Sequence, residues 1–316
     1  MDGTLNILKL AKYFSDEDAA RELLEEMRWG KSGAVCPRCG GADPYKLTPK
    51  ATSKKPGRKG LYKCRACRKQ FTVTVGTVFE ASHIPLSKWL LAIHLLASSK
   101  KGISAHQLHR NLGISYKGAW FMAHRLRYAM QQGPLTELLS GTVEADETYI
   151  GGSRRGRADA KRGRPTQDSN KTPVMGLVER GGRLRAKPIE RVTAKNITGA
   201  IFKDVNVWDS HLMTDEGRHY DRIGRKFKSH QTVKHTSGEY VRGKAHTNTI
   251  EGFFGILKRG INGVYHHVGR GHLSRYCDEF AFRYNTRTAL GYSDGQRAAE
   301  MVAGAEGKRL TYKQPA

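Results

Sequence analysis

The pattern of apolar positions divides the chain into a helical first part and a second part in which short strands alternate with helices. In the first part, AARELLEEMRW and IPLSKWLLAIHLLASS have apolar residues at helical spacing, whereas FTVTVGTVF alternates apolar and polar residues as a strand does. The second part has β-rich runs and helical runs in alternation: TVEADETYIGG, VMGLVER, RLRAKPIE, NITGAIFKDV, HLMTDE and TNTIEGFFGILKRGI. This order of strand, hairpin, helix, strand and helix predicts an α/β domain after a mainly helical segment.

The segment ISAHQLHRNLGISYKGAWFMAHRLRYAM has the pattern of two short helices around a tight turn. Ser104 and Ser115 can cap the two helices and Gly113 can form the turn, as in a helix-turn-helix. The second helix carries basic side chains that can contact phosphates or base edges: Lys117, Arg125 and Arg127. Ordinary helical hairpins of protein cores share this pattern, so the DNA-reading interpretation depends on what surrounds it.

Four of the five cysteines form two pairs, each with a gap of two residues: Cys36, Cys39, Cys64 and Cys67. Four thiolates in this arrangement can complete a tetrahedral Zn²⁺ site. A disulfide pair is disfavoured in a reducing compartment. A redox dithiol is disfavoured because no thioredoxin-like βαβ pattern surrounds the pairs. We expect a zinc ribbon, with a flexible basic loop between the pairs.

Charge strengthens the nucleic-acid interpretation. The chain has 55 Lys and Arg against 29 Asp and Glu, a formal net charge of +26 and a pI near 10.0. Such an excess binds a polyanion through counterion release. A solvated basic surface is the alternative that charge alone leaves open.

At 316 residues the chain is long enough for one large core and smaller modules. We expect an N-terminal helical segment (1–30), a zinc ribbon (31–80), a helix-turn-helix region (81–138), a catalytic domain (139–300) and a C-terminal tail (301–316). No signal peptide or membrane span is visible, which favours a cytoplasmic, nucleoid-associated protein without a membrane partner.

Three acidic residues of the second part carry the candidate chemistry. Asp146 lies on the strand face opposite Val143 and Ala145, Asp215 ends the strand HLMTDE, and Glu251 lies in the helix TNTIEGFFGILKRGI. A spacing of 35 residues separates Asp215 from Glu251. Three such carboxylates can hold two Mg²⁺ ions across a phosphodiester.

The helix that carries Glu251 also places Asn248 and Lys258 near the same face, at spacings of three and seven residues. Lys258 and the adjacent Arg259 are candidates for contact with DNA. Because a carboxylate binds Mg²⁺ better than an amide does, we favour Glu251 as the third ligand, with Asn248 as a rival or co-ligand.

Together, CPRCG, CRACRKQF, the helix-turn-helix, VEADETYIGG, HTNTIEGFFGILKRGI and DEFAFRYNTR resemble the prokaryotic insertion-sequence transposases of the DDE type that carry an N-terminal zinc ribbon. The resemblance covers roughly residues 10–290 and implies a ribonuclease H-like catalytic domain. In that family the first two carboxylates match Asp146 and Asp215, and the third site is asparagine in some members.

The resemblance implies a polynucleotidyl transferase that uses Mg²⁺ or Mn²⁺ to cut the ends of a mobile element and to join the exposed 3′-hydroxyls to target DNA. The expected partner is double-stranded DNA, both terminal repeats and target, bound by a homodimer or a larger synaptic complex. The alternatives are a non-catalytic DNA-binding regulator and a junction nuclease of the same fold.

Two further basic segments have patterns that predict less specific roles. Residues 151–172, with seven Lys or Arg against two Asp, predict a loop that can lie along DNA or serve as a solvated insertion. Arg283, Asn285 and Arg287 in RYNTR are interpreted as surface groups at a helix end.

Overall fold

The computed structural model describes residues 7–48, 59–131, 137–151 and 171–311. Residues 152–170, which contain most of the predicted basic loop, lie outside the described residues, as do residues 49–58 between the two cysteine pairs. Contacts divide the chain into two compact units. Unit 1 consists of residues 1–99, 103–131 and 292–316, and unit 2 of residues 100–102 and 132–291.

The described part of the chain contains helices of 4 to 15 residues. In chain order they are α1 (Ile7–Ser15), α2 (Glu17–Trp29), α3 (Leu86–Ser98), α4 (Ala105–Leu112), α5 (Tyr116–Met130), α6 (Ala194–Asp204), α7 (Asp221–Gly224), α8 (Asn248–Gly260), α9 (Leu273–Asn285) and α10 (Asp294–Ala303). The strands are β1 (Pro44–Leu47), β2 (Leu61–Cys64), β3 (Gln70–Phe71), β4 (Leu139–Ile150), β5 (Thr172–Glu179), β6 (Leu184–Pro188), β7 (Val205–Asp215) and β8 (Ser229–Val233).

Unit 1 is built on helices that pack around apolar side chains such as Trp89, Leu96 and Leu126. α10 packs against α2, α3 and α5 of the same unit. The boundary between the two units therefore lies between residues 291 and 292, whereas the sequence predicts a catalytic domain that extends to residue 300. α10 belongs to unit 1 because it packs against helices of the N-terminal part of the chain, as an amphipathic helix does with its apolar face.

The helix pair predicted around Gly113 is present as α4 and α5. The hydroxyl of Ser104 accepts from the amide of Gln107, and that of Ser115 accepts from the amide of Gly118. Gly113 ends α4 in the left-handed conformation, with φ of 56°. The local structure is as expected, while its role as a DNA reader stays a prediction.

The cysteine pairs lie in a small antiparallel sheet of order β1-β2-β3. Two segments differ from the sequence-based expectation. The stretch between the pairs is not wholly loop, since β1 and β2 form within it, Pro44 opposite Cys64 and Leu47 opposite Leu61. The predicted strand FTVTVGTVF ends at Phe71, because the chain then turns through hydrogen bonds such as Val75 N–H to Thr72 O (3.1 Å).

Unit 2 contains a five-stranded mixed sheet of order β6-β5-β4-β7-β8. β4 pairs antiparallel with β5 and parallel with β7, while β5–β6 is antiparallel and β7–β8 parallel. The predicted hairpin at Gly181-Gly182 joins β5 to β6, and α6 is the crossover between β6 and β7. This mixed α/β order agrees with the ribonuclease H-like expectation. β8 was not anticipated from the sequence.

The two faces of this sheet are covered by different helices, because residues alternate between faces along each strand. On β5, Val174 and Val178 join a cluster with α8 and α9, whereas Met175 and Leu177 join a cluster with α6 and α7. Gly176 pairs with Asp146 across the strands. A Cβ atom at Gly176 would lie 2.6 Å from Ile250 of α8, so glycine lets this helix approach the sheet closely.

The end of α9 corrects the interpretation of RYNTR as surface. Arg283 and Asn285 are buried, at 9% and 5% exposed. The Asn285 side chain pairs with the edge of β6, since its Oδ1 accepts from Leu184 N–H (2.7 Å) and its Nδ2 donates to Leu184 O (3.0 Å). An amide that satisfies both groups of one strand residue is a structural part of the sheet edge.

Candidate active site and metal centre

Four thiols form a compact group in unit 1. The Sγ atoms of Cys36, Cys39, Cys64 and Cys67 all lie within 4.8 Å of one another. Cys36 Sγ lies 3.7 Å from Cys67 Sγ, and Cys39 Sγ lies 3.6 Å from Cys64 Sγ. With Zn–S bonds of about 2.3 Å, the edges of a tetrahedral Zn²⁺ site measure about 3.8 Å. The donor set and its spacing therefore fit a structural zinc ion.

Two similar turns present these thiols. In the first, Gly40 N–H donates to Cys36 O (2.9 Å), and in the second Arg68 N–H donates to Cys64 O (3.0 Å). Gly40 and Arg68 both adopt positive φ, at 73° and 60°. Burial raises the pKa of Cys36, but backbone N–H groups in the first turn outweigh it and lower that pKa to about 7. Backbone donors that stabilise a thiolate prepare it as a metal ligand.

The candidate carboxylates of unit 2 come from three elements. Asp146 lies on β4, Asp215 ends β7 and Glu251 lies in the first turn of α8. The parallel register pairs Glu144 with Met213, so its continuation by two residues places Asp215 beside Asp146. Neighbouring strands lie about 4.8 Å apart. The two aspartates therefore share the sheet face that α8 covers.

Asp146 is partly buried among acidic neighbours. Burial is the main cause that raises its pKa, the amide of Glu147 opposes this, and the charges of Glu147, Asp215 and Glu251 raise it further, to about 7. Like charges raise a carboxyl pKa because they disfavour a second anion nearby. The structure thus brings together all three acidic residues that were proposed from the sequence.

Each carboxylate is hydrogen-bonded to its own surroundings. Asp146 Oδ1 accepts from the amide of Glu147 (2.7 Å) and Asp215 Oδ1 accepts from the amide of Gly217 (2.9 Å). Within the described ranges, the cysteines are the only group of three or more Cys, His, Asp or Glu side chains whose ligand atoms all lie within 4.8 Å. The carboxylates are neighbours, but they are more widely spaced than the thiols.

Glu251 is half exposed and is held from two sides. Its Oε1 accepts from the hydroxyl of Thr247 (2.7 Å) and lies 3.5 Å from Nε2 of His235. Asn248 is exposed at the first position of α8 and lies three residues before Glu251. Lys258 and Arg259 are exposed in the last turn of the same helix. The choice between Glu251 and Asn248 as a ligand stays a prediction.

The sequence reasoning did not identify a group of side chains on the opposite face of β4. Glu147 accepts from the hydroxyl of the fully buried Tyr220 and lies 3.4 Å from Nε2 of His219. Burial lowers the pKa of His219, but Glu147, Asp215 and Asp146 outweigh it and raise that pKa. When protonated, His219 adds positive charge beside Glu147 and near Asp146. The sequence around His219 and Tyr220, GRHYD, does not predict this group, because Glu147, which both residues approach, is distant in sequence.

The basic residues proposed on α5 have different surroundings. Lys117 is exposed in the first turn. Arg125, at 7% exposed, donates to the carbonyl oxygens of Val78 (2.9 Å), Glu80 (3.0 Å) and Leu310 (3.2 Å). Arg127 is 2% exposed. These placements give the two arginines a structural role within unit 1. Of the three basic residues proposed on α5, Lys117 is the exposed one, and its contact with DNA stays a prediction.

The described residues include no helix with both the length and the apolar character needed to cross a membrane.

Two family models match the chain. A transposase zinc-ribbon domain matches residues 15–70, and an ISXO2-like transposase domain matches residues 138–285. The first range contains the four cysteines, and the second contains Asp146, Asp215 and Glu251. Both matches agree with the domain types expected from the motifs.

Comparison with individual proteins adds one relative and several solved structures. A protein of Halobacterium salinarum, described as an uncharacterized protein in transposable element ISH50, is 29% identical over 283 residues, which is 86% of this chain and 92% of the relative. A pre-cleavage Mos1 transpososome is 11% identical, covers 69% of this chain and 79% of that chain, and has a TM-score of 0.28. The Mos1 strand transfer complex is 10% identical, with coverage of 69% and 78% and a TM-score of 0.23.

Proposed function

We propose that the chain, which matches a transposase zinc-ribbon domain and an ISXO2-like transposase domain, cuts DNA at the ends of a mobile element and joins those ends to target DNA. The observation that carries the proposal is the position of Asp146. The register of β4 and β7 places Asp146 beside Asp215, on the sheet face that α8 covers with Glu251 in its first turn, although the three residues lie on different elements and 105 positions separate the first from the last.

The chemistry of these side chains fits divalent cations. Three carboxylates in one place repel each other and also repel a phosphodiester, so a cation must lie between them before DNA can approach. Carboxylate oxygens are the ligands that Mg²⁺ and Mn²⁺ prefer. Asp146, Asp215 and either Glu251 or Asn248 would hold such ions, whose charge would stabilise the attacking and leaving oxygens of an in-line displacement.

The remaining work belongs to the chain's own groups. Asp146 and Asp215 are fixed by backbone N–H donors, so their oxygens are oriented before substrate binds. Lys258 and Arg259, exposed at the far end of α8, are proposed to bind phosphates of the DNA that leads to the site. No nucleophilic side chain is needed, since water attacks in cleavage and a DNA 3′-hydroxyl attacks in strand transfer.

DNA recognition is assigned to the basic first part of the chain. The zinc ribbon and the α4–α5 pair, with Lys117 exposed, are proposed to bind the terminal repeats of the element. The net charge of +26 supplies the salt-dependent part of the affinity. Since two ends must be joined in one event, we propose a dimer or larger complex on DNA.

The test is mobilisation in cells. A marker is flanked by the DNA that borders this gene, and the protein is supplied separately as wild type, as Asp146→Asn or as Glu190→Gln, an exposed glutamate of the same unit. We expect the marker to move with wild type and with Glu190→Gln but not with Asp146→Asn. Movement that persists with Asp146→Asn would exclude this active site, and specific DNA binding without any movement would favour a regulator.

A further inference from the structure

The helix that carries the third acidic residue begins without a cap of its own. In α8 the capping position is Thr247, and its side chain makes no capping hydrogen bond. The Thr247 hydroxyl instead donates to Oε1 of Glu251 (2.7 Å). The first N–H groups of a helix have no acceptor within the helix, and a threonine at this position ordinarily accepts from one of them. Here that acceptor must come from elsewhere.

It comes from β4. Glu144 lies two residues before Asp146 on the same strand and faces the same side. Its Oε2 accepts from the amides of Thr249 (2.9 Å) and Ile250 (3.0 Å), the second and third residues of α8. Its Oε1 accepts from the hydroxyl of Thr249 (2.8 Å). A strand residue thus caps the helix and joins the element of Asp146 directly to that of Glu251.

Arg180, which directly follows β5, extends this connection to the segment before the helix. Its Nε donates to Oε1 of Glu144 (2.6 Å), and its two Nη groups donate to the carbonyl oxygens of Lys244 and His246, both at 2.8 Å. His246 also places Nδ1 at 3.3 Å from Oε1 of Glu144. The chain that leads into α8 is therefore held by the same carboxylate–guanidinium pair.

The groups hydrogen-bonded to the Glu144 carboxylate are all donors. The side chain of Glu144 is fully buried, and a buried anion is stable only when donors and opposite charge compensate it. Arg180 supplies the charge, and the amides at the helix N-terminus supply dipoles of the right sign. A neutral glutamine in its place retains one acceptor oxygen and presents an NH₂ group to groups that are themselves donors.

We propose that Glu144 is a positioning residue for the active site: it fixes the first turn of α8, and with it Asn248 and Glu251, relative to Asp146 on β4. Glu144 does not need to touch the metal or DNA, because it acts through the helix. The catalytic consequence rests on the proposed function. The structural consequence does not, since it concerns amide groups that Glu144 binds in the protein alone.

The first measurement is hydrogen exchange of individual amides by NMR, comparing wild type with Glu144→Gln. The earliest backbone bond within the helix is Glu251 N–H to Thr247 O (3.0 Å), so protection at Thr249 and Ile250 reports Glu144 directly. We expect at least one of these two amides to exchange about tenfold faster in the variant. Amides of the last turn of α8 should change less. Equal exchange at Thr249 and Ile250 in both proteins would overturn the proposal.

The matched control is Glu279→Gln. Glu279 is also fully buried in unit 2, but its partners Arg283 and Tyr265, both at 2.6 Å, lie outside the first turn of α8. This change should lower the unfolding midpoint without selective loss of protection at Thr249 and Ile250. If both variants change exchange at these two amides equally, Glu144 has only a general structural role.

A second variant covers the case in which Glu144→Gln does not fold. Arg180→Gln alters a side chain that is 22% exposed and keeps Glu144 as acceptor, so we expect a smaller loss of protection in the same turn. Unchanged protection there would also contradict the proposal. In DNA cleavage assays, Glu144→Gln and Arg180→Gln, where folded, should have a kcat about 10- to 100-fold lower than that of the wild type, with KM for DNA nearly unchanged. Altered exchange in a protein whose wild type cleaves no DNA supports the positioning of α8 and rejects the proposed function.

Discussion

The four thiols of unit 1 and the three carboxylates of unit 2 are both candidate metal ligands, but they are assembled in different ways. The thiols come from two short turns and lie 3.6 and 3.7 Å apart in pairs. The carboxylates come from two strands and a helix, and each is bonded to its own neighbours. Local turns suffice to gather the first set, whereas the second set requires the whole sheet.

The difference has an electrostatic cause as well. Neutral thiols can approach one another closely, and a metal then removes their protons. Carboxylates are ordinarily anions at neutral pH, so gathering them in a partly buried place has a cost: burial, with the neighbouring charges added to it, raises the pKa of Asp146 to about 7. The carboxylate site is held in place by hydrogen bonds from outside it, such as those of Glu144 and Thr247, instead of by contacts among its members.

The largest effect is expected at the thiol site. Cys64→Ser should abolish stoichiometric zinc and unfold the small sheet of the ribbon, because zinc binding contributes about 10–16 kcal/mol to the folding of such modules. Zinc content and circular dichroism of the purified chain measure this. Cys277→Ala, which alters a buried cysteine of unit 2, should retain the zinc. A Cys64→Ser protein with one firmly bound zinc would contradict the four-thiol site.

The next effect is at the carboxylates, where the third ligand can be identified. Asp215→Asn should reduce DNA cleavage by about 10³-fold or more, because a ligand of both chemical steps is lost. Glu216→Gln, at the exposed neighbour, is the control. If Glu251 is the ligand, Glu251→Gln should resemble Asp215→Asn, and Asn248→Ala should have a much smaller effect. The reverse order in cleavage assays would assign the role to Asn248.

A smaller effect is expected in stability against pH. Because Asp146 titrates near 7 in the folded chain and near 3.8 in the unfolded one, the folded state binds more protons between these values. Without added Mg²⁺, the contribution of Asp146 to the free energy of unfolding should therefore be most favourable below pH 3.8. It should become less favourable as the pH rises towards 7. Urea unfolding at pH 5 and pH 8 measures the change.

The control for this titration is Asp146→Asn, which lacks the group and should lose that part of the pH dependence. Added Mg²⁺ should oppose the loss of stability in the wild type at pH 8, since the ion favours the ionised carboxylate. An identical pH dependence in wild type and Asp146→Asn would show that folding does not raise the pKa of Asp146.

The smallest effect concerns DNA binding by α5. Lys117→Ala should lower the slope of log affinity against log salt by about one, because one phosphate contact is lost. Arg125→Gln should leave this slope unchanged for the folded protein and lower the urea midpoint, since Arg125 binds three backbone carbonyls. Fluorescence anisotropy with element-end DNA at several salt concentrations separates the two. A loss of slope in Arg125→Gln would restore its DNA-binding role.

The sequence by itself determined the features that depend on local pattern. The helical run TNTIEGFFGILKRGI predicted α8, and its apolar residues Ile250, Phe253, Phe254 and Leu257 are all buried. The serine caps and Gly113 predicted the ends of α4 and α5, and the cysteine spacing predicted the thiol cluster. Each of these is decided within one turn or a few residues, where covalent geometry and hydrogen bonding leave few alternatives.

Only the tertiary structure decided what depends on partners distant in sequence. It buried Arg125 and Asn285, which composition alone suggests are surface groups, because backbone carbonyl and amide groups elsewhere needed their donors and acceptors. It also made Glu144 a helix cap, although its spacing to Thr249 and Ile250 exceeds 100 residues. The role of such a side chain depends on the polar groups and charges that surround it after folding. A periodic sequence pattern does not predict these partners, because they come from distant parts of the chain.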